Sequence, residues 1–103
     1  MRHPGLIIKH DLRLSDPDEM LLLMRWIRTY ILGKRDGCLS DHFRITMKGF
    51  KSWLRSNGII IRQNSNSIWS LILLELALLK KAGMIGDYHV LRTDRTHVII
   101  RKK

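Results

Sequence analysis

The sequence has 103 residues, the size of one domain, and 45% of them are hydrophobic, which is enough for a core and excludes wholesale disorder. Lys and Arg total 19 against 9 Asp and Glu, so the net charge is +10. A surplus of this size is typical of proteins that bind a polyanion, nucleic acid before an acidic membrane, although a basic but otherwise ordinary surface has the same composition.

The single cysteine, Cys38, excludes a disulfide framework and a multi-thiolate zinc site within one chain. The N-terminal apolar run is too short for a signal peptide. The longest apolar stretch, Ile68 to Leu79, is too short to cross a bilayer as a helix, and Lys80 and Lys81 follow it directly. We therefore expect an intracellular, cytoplasmic protein with no membrane partner.

Residues 1–14 are predicted to form an extended N-terminal arm, and residues 15–103 a single domain. The first helix of that domain has Asp16 as a possible cap and Pro17 at its first position, and Gly33 is predicted to end it. Six residues at helical spacing form its predicted apolar face: Met20, Leu23, Met24, Ile27, Tyr30 and Ile31.

A charged turn is predicted at Lys34–Gly37 and a short strand at Phe43–Thr46. The second helix is predicted to begin after Thr46 as its cap and to end at Asn57-Gly58. Its apolar face is formed by Phe50, Trp53 and Leu54.

Three cations, Lys48, Lys51 and Arg55, are spaced so that they lie opposite this apolar face. A basic stripe that faces away from the core is what a phosphate-contacting helix requires. An ordinary solvated helix face has the same pattern.

The third helix is predicted to begin in the polar cluster Asn64–Ser67 and to run to Ala82, with Gly83 ending it. It is apolar almost all round, which is typical of a buried helix. Glu75 falls on its apolar side, and we expect it to pair with a Lys, Arg or His, because a buried unpaired carboxylate is costly. The predicted outer strip consists of Ser70, Leu73, Ala77, Lys80 and Lys81.

A β-hairpin is predicted from Tyr88–Arg92 and His97–Arg101, joined by a polar tip that contains no glycine. With Asp94 and Arg95 central in the tip, Leu91 pairs with Val98 and His89 with Ile100. This register places Leu91, Val98 and Ile100 against the helices. It places Arg92, His97 and Arg101 in solvent.

The order helix, short strand, helix, helix, hairpin resembles the winged helix-turn-helix family over residues 16–103. The ending Leu78–Ile85, with two leucines, two charges, a small residue, glycine, an apolar residue and isoleucine, is similar to the ending of recognition helices in that family. The resemblance implies an α+β, mostly helical fold with three main helices and a C-terminal β-hairpin wing.

The same resemblance implies that the start of the third helix enters the major groove and that the wing lies along the DNA backbone. Asn and Gln suit adenine, and Arg suits guanine, although Asn64–Ser67 also suit simple capping. The implied recognition-helix contacts are Arg62, Gln63, Asn64, Ser65, Asn66, Ser67 and Ser70, and the second helix would add Lys48, Lys51 and Arg55. The implied wing contacts are Arg92, Arg95, His97, Arg101 and Lys102.

The two longer helices carry more apolar residues than one core requires. This surplus suggests a surface for a second subunit, although scattered exposed apolar residues are an equal alternative. The residues assigned to this interface are Leu22, Trp26, Trp69 and Leu73.

No histidine pair has the spacing of a helical metal site, and no phosphate-binding glycine motif is present. Ser40, Asp41 and His42 are adjacent in the chain, which does not give the converging geometry of a triad. We therefore expect no enzyme activity, cofactor, metal or small-molecule substrate. The predicted function is binding of double-stranded DNA by a small homodimeric transcriptional regulator. The alternative is a winged-helix protein-interaction subunit of a larger transcription, replication or virion complex.

Overall fold

The computed structural model describes residues 8–9, 17–61, 64–91 and 97–102, which form an α+β, mostly helical fold, as predicted. None of the helices in this part of the chain is long and apolar enough to span a bilayer. In chain order the elements are β1 (Ile8–Lys9), α1 (Pro17–Gly37), β2 (His42–Thr46), α2 (Met47–Ser56), β3 (Ile59–Ile60), α3 (Ser65–Lys81), β4 (Tyr88–Val90) and β5 (His97–Arg101).

The main sheet is antiparallel and has the strand order β2-β5-β4. In β2, His42 pairs with Arg101 and Thr46 with His97, so the strand that follows the first helix lies beside the last strand. The C-terminal hairpin then supplies β4 on the other side of β5. Three helices with a sheet connected in this order are compatible with winged-helix topology. Separately, β1 and β3 form a short parallel pair in which Ile8 lies beside Ile59.

Helix α1 begins at Pro17 as predicted, whereas the predicted cap Asp16 lies outside the described residues. The prediction that the helix ends at Gly33 was wrong, because the helix continues to Gly37 through the predicted turn. A glycine inside a helix costs only about 1 kcal/mol relative to alanine and does not end the helix by itself. The last turn is held by a tertiary contact, in which Arg35 Nη1 donates to the Met84 carbonyl at 2.8 Å.

Helices α2 and α3 begin where the sequence predicts. The Thr46 hydroxyl accepts a hydrogen bond from the Gly49 backbone N–H at 2.9 Å, and Asn64 Oδ1 accepts one from the Asn66 N–H at 2.7 Å. Each side chain therefore satisfies one of the backbone donors that a helix start leaves unpaired.

Both helices also end where predicted, and each is followed by a glycine with positive φ. Gly58 has φ 72° and Gly83 has φ 76°. This left-handed conformation is disfavoured for residues with a Cβ, so glycine sets the end of each helix.

Replacing Thr46 with alanine is expected to destabilise the protein by about 1 kcal/mol, because the N-cap hydrogen bond is lost. The matched control is Thr29→Ala in α1. The exposed Thr29 hydroxyl only donates back to the Arg25 carbonyl at 2.9 Å, a bond that contributes little to helix stability. Urea denaturation of both variants checks this, and equal losses would contradict the capping role.

The core lies between the inner face of the sheet and the three helices. Phe43 and Ile45 from β2 and Val98 and Ile100 from β5 are buried on this face. The helices bury the apolar faces predicted for α1 and α2, except that Met20, Met24 and Trp53 are half-buried. From the helices the fully buried side chains include Leu23, Ile27, Ile31, Phe50, Ile68, Ile72, Leu76 and Leu79.

Glu75 is the buried charged residue of the described core, at 1% exposure. Arg28 Nε donates to Glu75 Oε1, and this ion pair confirms the predicted pairing. Because the arginine side chain is 51% exposed, the pair joins a buried carboxylate to a cation at the protein surface.

The hairpin is present, but its predicted register was wrong by one residue. Val98 pairs with Val90 rather than Leu91, and His89 pairs with Ile99 rather than Ile100. The predicted register depended on a two-residue turn, which requires residues that adopt positive φ, and the tip has no glycine.

The shift changes which residues of the first hairpin strand face the helices. Tyr88 and Val90 share the inner face with Val98 and Ile100 and pack against the core, in place of Leu91. His97 is half-buried rather than in solvent, whereas Arg101 is exposed as predicted.

Candidate nucleic-acid interface

The basic stripe of α2 lies beside the first turn of α3. Lys48 and Arg55 are exposed, and Lys51 is half-buried. Lys51 Nζ donates a hydrogen bond to Ser65 Oγ, which ties the stripe to the start of the third helix. Two features predicted separately from the sequence therefore form one continuous surface.

The polar residues at the start of α3 divide into structural and exposed groups. The Asn64 side chain caps the helix, and Ser65 Oγ accepts a hydrogen bond from Lys51 Nζ. Both side chains are therefore hydrogen-bonded within the protein. Asn66 and Ser70 lie exposed one turn apart, and Ser70 Oγ donates to the Asn66 carbonyl at 3.0 Å. Ser67 is half-buried. Arg62 and Gln63 lie outside the described residues.

No carboxylate opposes these cations on their own elements. Helix α2 contains no Asp or Glu, and the single acidic residue of α3, Glu75, is buried and paired with Arg28. Lys48 and Arg55 therefore present their charges to solvent with no carboxylate on α2 to offset them.

A groove lies next to this surface, between α2 and β3. Its walls include the basic residues Lys51 and Arg55 and the apolar residues Leu54 and Ile60, and Ile60 is exposed. Because β1 pairs with β3, the backbone of Ile8–Lys9 lies at the edge of the same groove.

The structure describes three of the five predicted wing contacts, His97, Arg101 and Lys102. Arg92 and Arg95 lie outside the described residues. Arg101 is at the far end of β5 from the tip, on the outer face of the sheet beside His42. Lys102 is half-buried, and its Nζ donates to the Cys38 carbonyl at 2.8 Å, so this ammonium is engaged within the chain.

One of the four predicted interface residues is buried, and the other three are half-buried. Trp69 is buried at 8% exposure, and Leu22, Trp26 and Leu73 are half-buried. The interior of this single chain accommodates most of the apolar surplus, since its three helices and its sheet share one core.

The exposed leucines of α3 are instead Leu74 and Leu78, at 46% and 41% exposure. They lie one turn apart beside Ala77, and the three residues define what we call the outer leucine strip. Of the predicted outer strip, Ser70, Ala77, Lys80 and Lys81 are exposed, whereas Leu73 is half-buried and packs against the core.

Cys38 and His42 are four residues apart, and Cys38 Sγ donates to the His42 carbonyl at 3.2 Å. Within the described ranges no group of three or more His, Cys, Asp or Glu side chains is placed to hold a metal ion.

The outer face of the sheet carries a second group of basic residues that the sequence analysis did not bring together. His42, Arg44, His89 and Arg101 are all exposed there. Basic residues at alternate positions of a strand share one face of a sheet, and this spacing is visible in the sequence. Grouping residues from three strands also requires the strand order and register, which the structure supplies.

Comparison of the chain with protein-family models, with curated proteins and with solved structures finds no match.

Proposed function

We propose that this protein binds double-stranded DNA through a winged-helix domain and acts as a small, homodimeric transcriptional regulator. The observation that carries the proposal is the hydrogen bond from Lys51 to Ser65, because it joins the basic face of α2 to the polar start of α3. In helix-turn-helix proteins one helix crosses the DNA backbone while the start of the next reaches base edges.

The two parts of this surface have different proposed roles. Lys48 and Arg55 contact phosphates and supply affinity that does not depend on base sequence. The exposed amide of Asn66 is the proposed base contact, because an asparagine side chain can pair with adenine through two hydrogen bonds. The wing cations Arg92 and Arg95 are proposed to add phosphate contacts.

The expected result is that duplex DNA binding weakens steeply as salt rises, and that the double variant Lys48→Ala, Arg55→Ala binds more weakly to every sequence. Each lost phosphate contact lowers the slope of log affinity against log salt by about 0.9. Fluorescence anisotropy with a labelled duplex at several salt concentrations measures both quantities.

The matched control is Arg25→Ala, Lys34→Ala, which removes the same charge from exposed positions on α1. This control is expected to keep most of the affinity and the salt slope of the parent. The proposal would be overturned by salt-insensitive binding of the parent, or by equal effects of the two double variants.

The outer leucine strip favours a second candidate function, a protein-interaction subunit of a larger complex. Exposed leucines one turn apart are a common feature of helix faces that contact another protein. Light scattering of the purified protein discriminates between the two functions. A stable dimer supports the regulator, and a monomer that aggregates until a partner is added supports the interaction subunit.

A further inference from the structure

The outer face of the three-stranded sheet points away from the helices, and a cationic depression lies on it. Its floor is the half-buried Ile99 of the central strand β5. His42 on β2 and His89 on β4 flank it, and Arg101 lies at its end, beside His42. His42 is level with Arg101 and His89 is level with Ile99, so the two imidazoles stand on opposite sides of β5, offset by two residues along that strand.

The depression is open to solvent and has a volume of about 420 Å³. This volume lies within the usual range of small-ligand sites. Its lining combines an apolar floor, two flat imidazole rings and one guanidinium group. Such a combination suits a flat, partly apolar ring that carries an anionic group.

One carboxylate, Asp87, also lines the depression, but it is already engaged. Lys80 Nζ lies 3.0 Å from Asp87 Oδ1, and the Tyr88 backbone N–H donates to the same oxygen at 2.8 Å. The hydrogen bond from Lys80, with that from Tyr88, holds the pKa of the Asp87 carboxyl below its usual range. The Lys80 charge offsets that of Asp87, so the Arg101 guanidinium sets the local preference for anions.

The Arg101 side chain passes close to Gly86. A Cβ at position 86 would lie 3.2 Å from Arg101 Nε and 3.1 Å from the Lys102 carbonyl oxygen. The Gly86 N–H also donates to the Arg101 carbonyl at 2.8 Å. The absence of a side chain at Gly86 therefore leaves room for the arginine side chain beside the depression.

We propose that this depression binds an unpaired nucleotide of a single-stranded nucleic acid. The base lies over Ile99 between His42 and His89, and Arg101 contacts the phosphate. Unpaired bases are commonly bound by stacking on histidine rings and guanidinium planes, and an open sheet face gives them access. An acidic peptide would use only the charge of Arg101 and would leave the flat apolar floor without a partner.

This site goes beyond the proposed duplex-binding function, because it uses a different face of the molecule. The basic stripe lies on α2, and the helices pack against the opposite side of the sheet. The proposed duplex surface on α2 and α3 and the proposed single-strand site on the sheet therefore lie on different faces of the molecule.

The test is fluorescence anisotropy with a labelled single-stranded oligothymidylate and a labelled duplex. The double variant His42→Ala, His89→Ala is expected to bind the single strand at least about fivefold more weakly, the loss that corresponds to one stacked base. It is expected to bind the duplex like the parent. The Lys48→Ala, Arg55→Ala variant is expected to bind the duplex more weakly and the single strand like the parent. The two variants therefore test the two proposed sites separately.

Two further measurements make the test independent of how the variants fold. In NMR titration of the parent with the oligothymidylate, the amides of His89 and Ile99 are expected to shift before those of Lys48 and Arg55. In competition, polyglutamate is expected to displace the oligonucleotide poorly. The proposal is overturned if the sheet variant binds the single strand like the parent, if the shifts fall on α2, or if polyglutamate displaces the strand at equal charge concentration.

Discussion

Replacing Arg28 with alanine is expected to destabilise the protein by about 3 kcal/mol. The variant leaves the Glu75 carboxylate, which is 1% exposed, in the core without its cation. Removing one partner of a buried ion pair typically costs about 3–5 kcal/mol, and we expect the lower end because the Arg28 side chain is half exposed. Urea denaturation monitored by circular dichroism measures the change.

The double variant Arg28→Ala, Glu75→Leu is expected to recover most of this loss. A leucine fits the apolar surroundings of position 75, and replacing a buried pair by hydrophobic residues is often neutral or stabilising. Arg25→Ala, an exposed arginine of the same helix, is the control and should change stability by less than about 0.5 kcal/mol. A double variant less stable than Arg28→Ala would show that the carboxylate has a favourable role besides this pair.

Replacing Phe50 with alanine is expected to cost about 3–5 kcal/mol, the range for large-to-small changes of a buried aromatic residue. Phe50 is fully buried, and its ring lies 5.3 Å from that of Tyr30 and 6.1 Å from that of Trp53, measured between centroids. The variant therefore opens a cavity where α1 and α2 meet. Domains of this size are stable by only about 5–15 kcal/mol, so the loss takes a large share of the total.

Thermal and chemical denaturation of Phe50→Ala check this expectation. The control is Leu21→Ala, an apolar truncation at a position that is 63% exposed, for which we expect a change below about 0.5 kcal/mol. Phe50→Leu is expected to lie between the two, because it keeps part of the side-chain volume. Similar stability of Phe50→Ala and Leu21→Ala would contradict the central position of this ring in the core.

The sequence alone was sufficient to predict the existence of the three helices and the ends of α2 and α3. A cap side chain such as Thr46 or Asn64 acts on a backbone group two or three residues away, and Gly58 and Gly83 act on their own backbone angles. These interactions are local, so the pattern that encodes them is visible in a short stretch of sequence. The burial of Glu75 followed from helical periodicity, and its need for a cation followed from the cost of desolvation.

The tertiary structure decided the features that depend on distant residues. Helix α1 passes Gly33 because its last turn contacts Met84, and the hairpin register depends on a tip that lacks the residues of a tight turn. Trp69 lies in the core because α1, α3 and the sheet share one interior.

The two candidate surfaces also required the fold. Lys51 and Ser65 are 14 residues apart, and their hydrogen bond joins the α2 stripe to α3. His42 and Arg101 are neighbours only because β2 pairs with β5. Residue types and local spacing predicted which side chains are basic or polar and exposed, but contacts between elements decide which of them share a surface. Those contacts depend on packing and strand pairing across the whole chain, which local patterns do not encode.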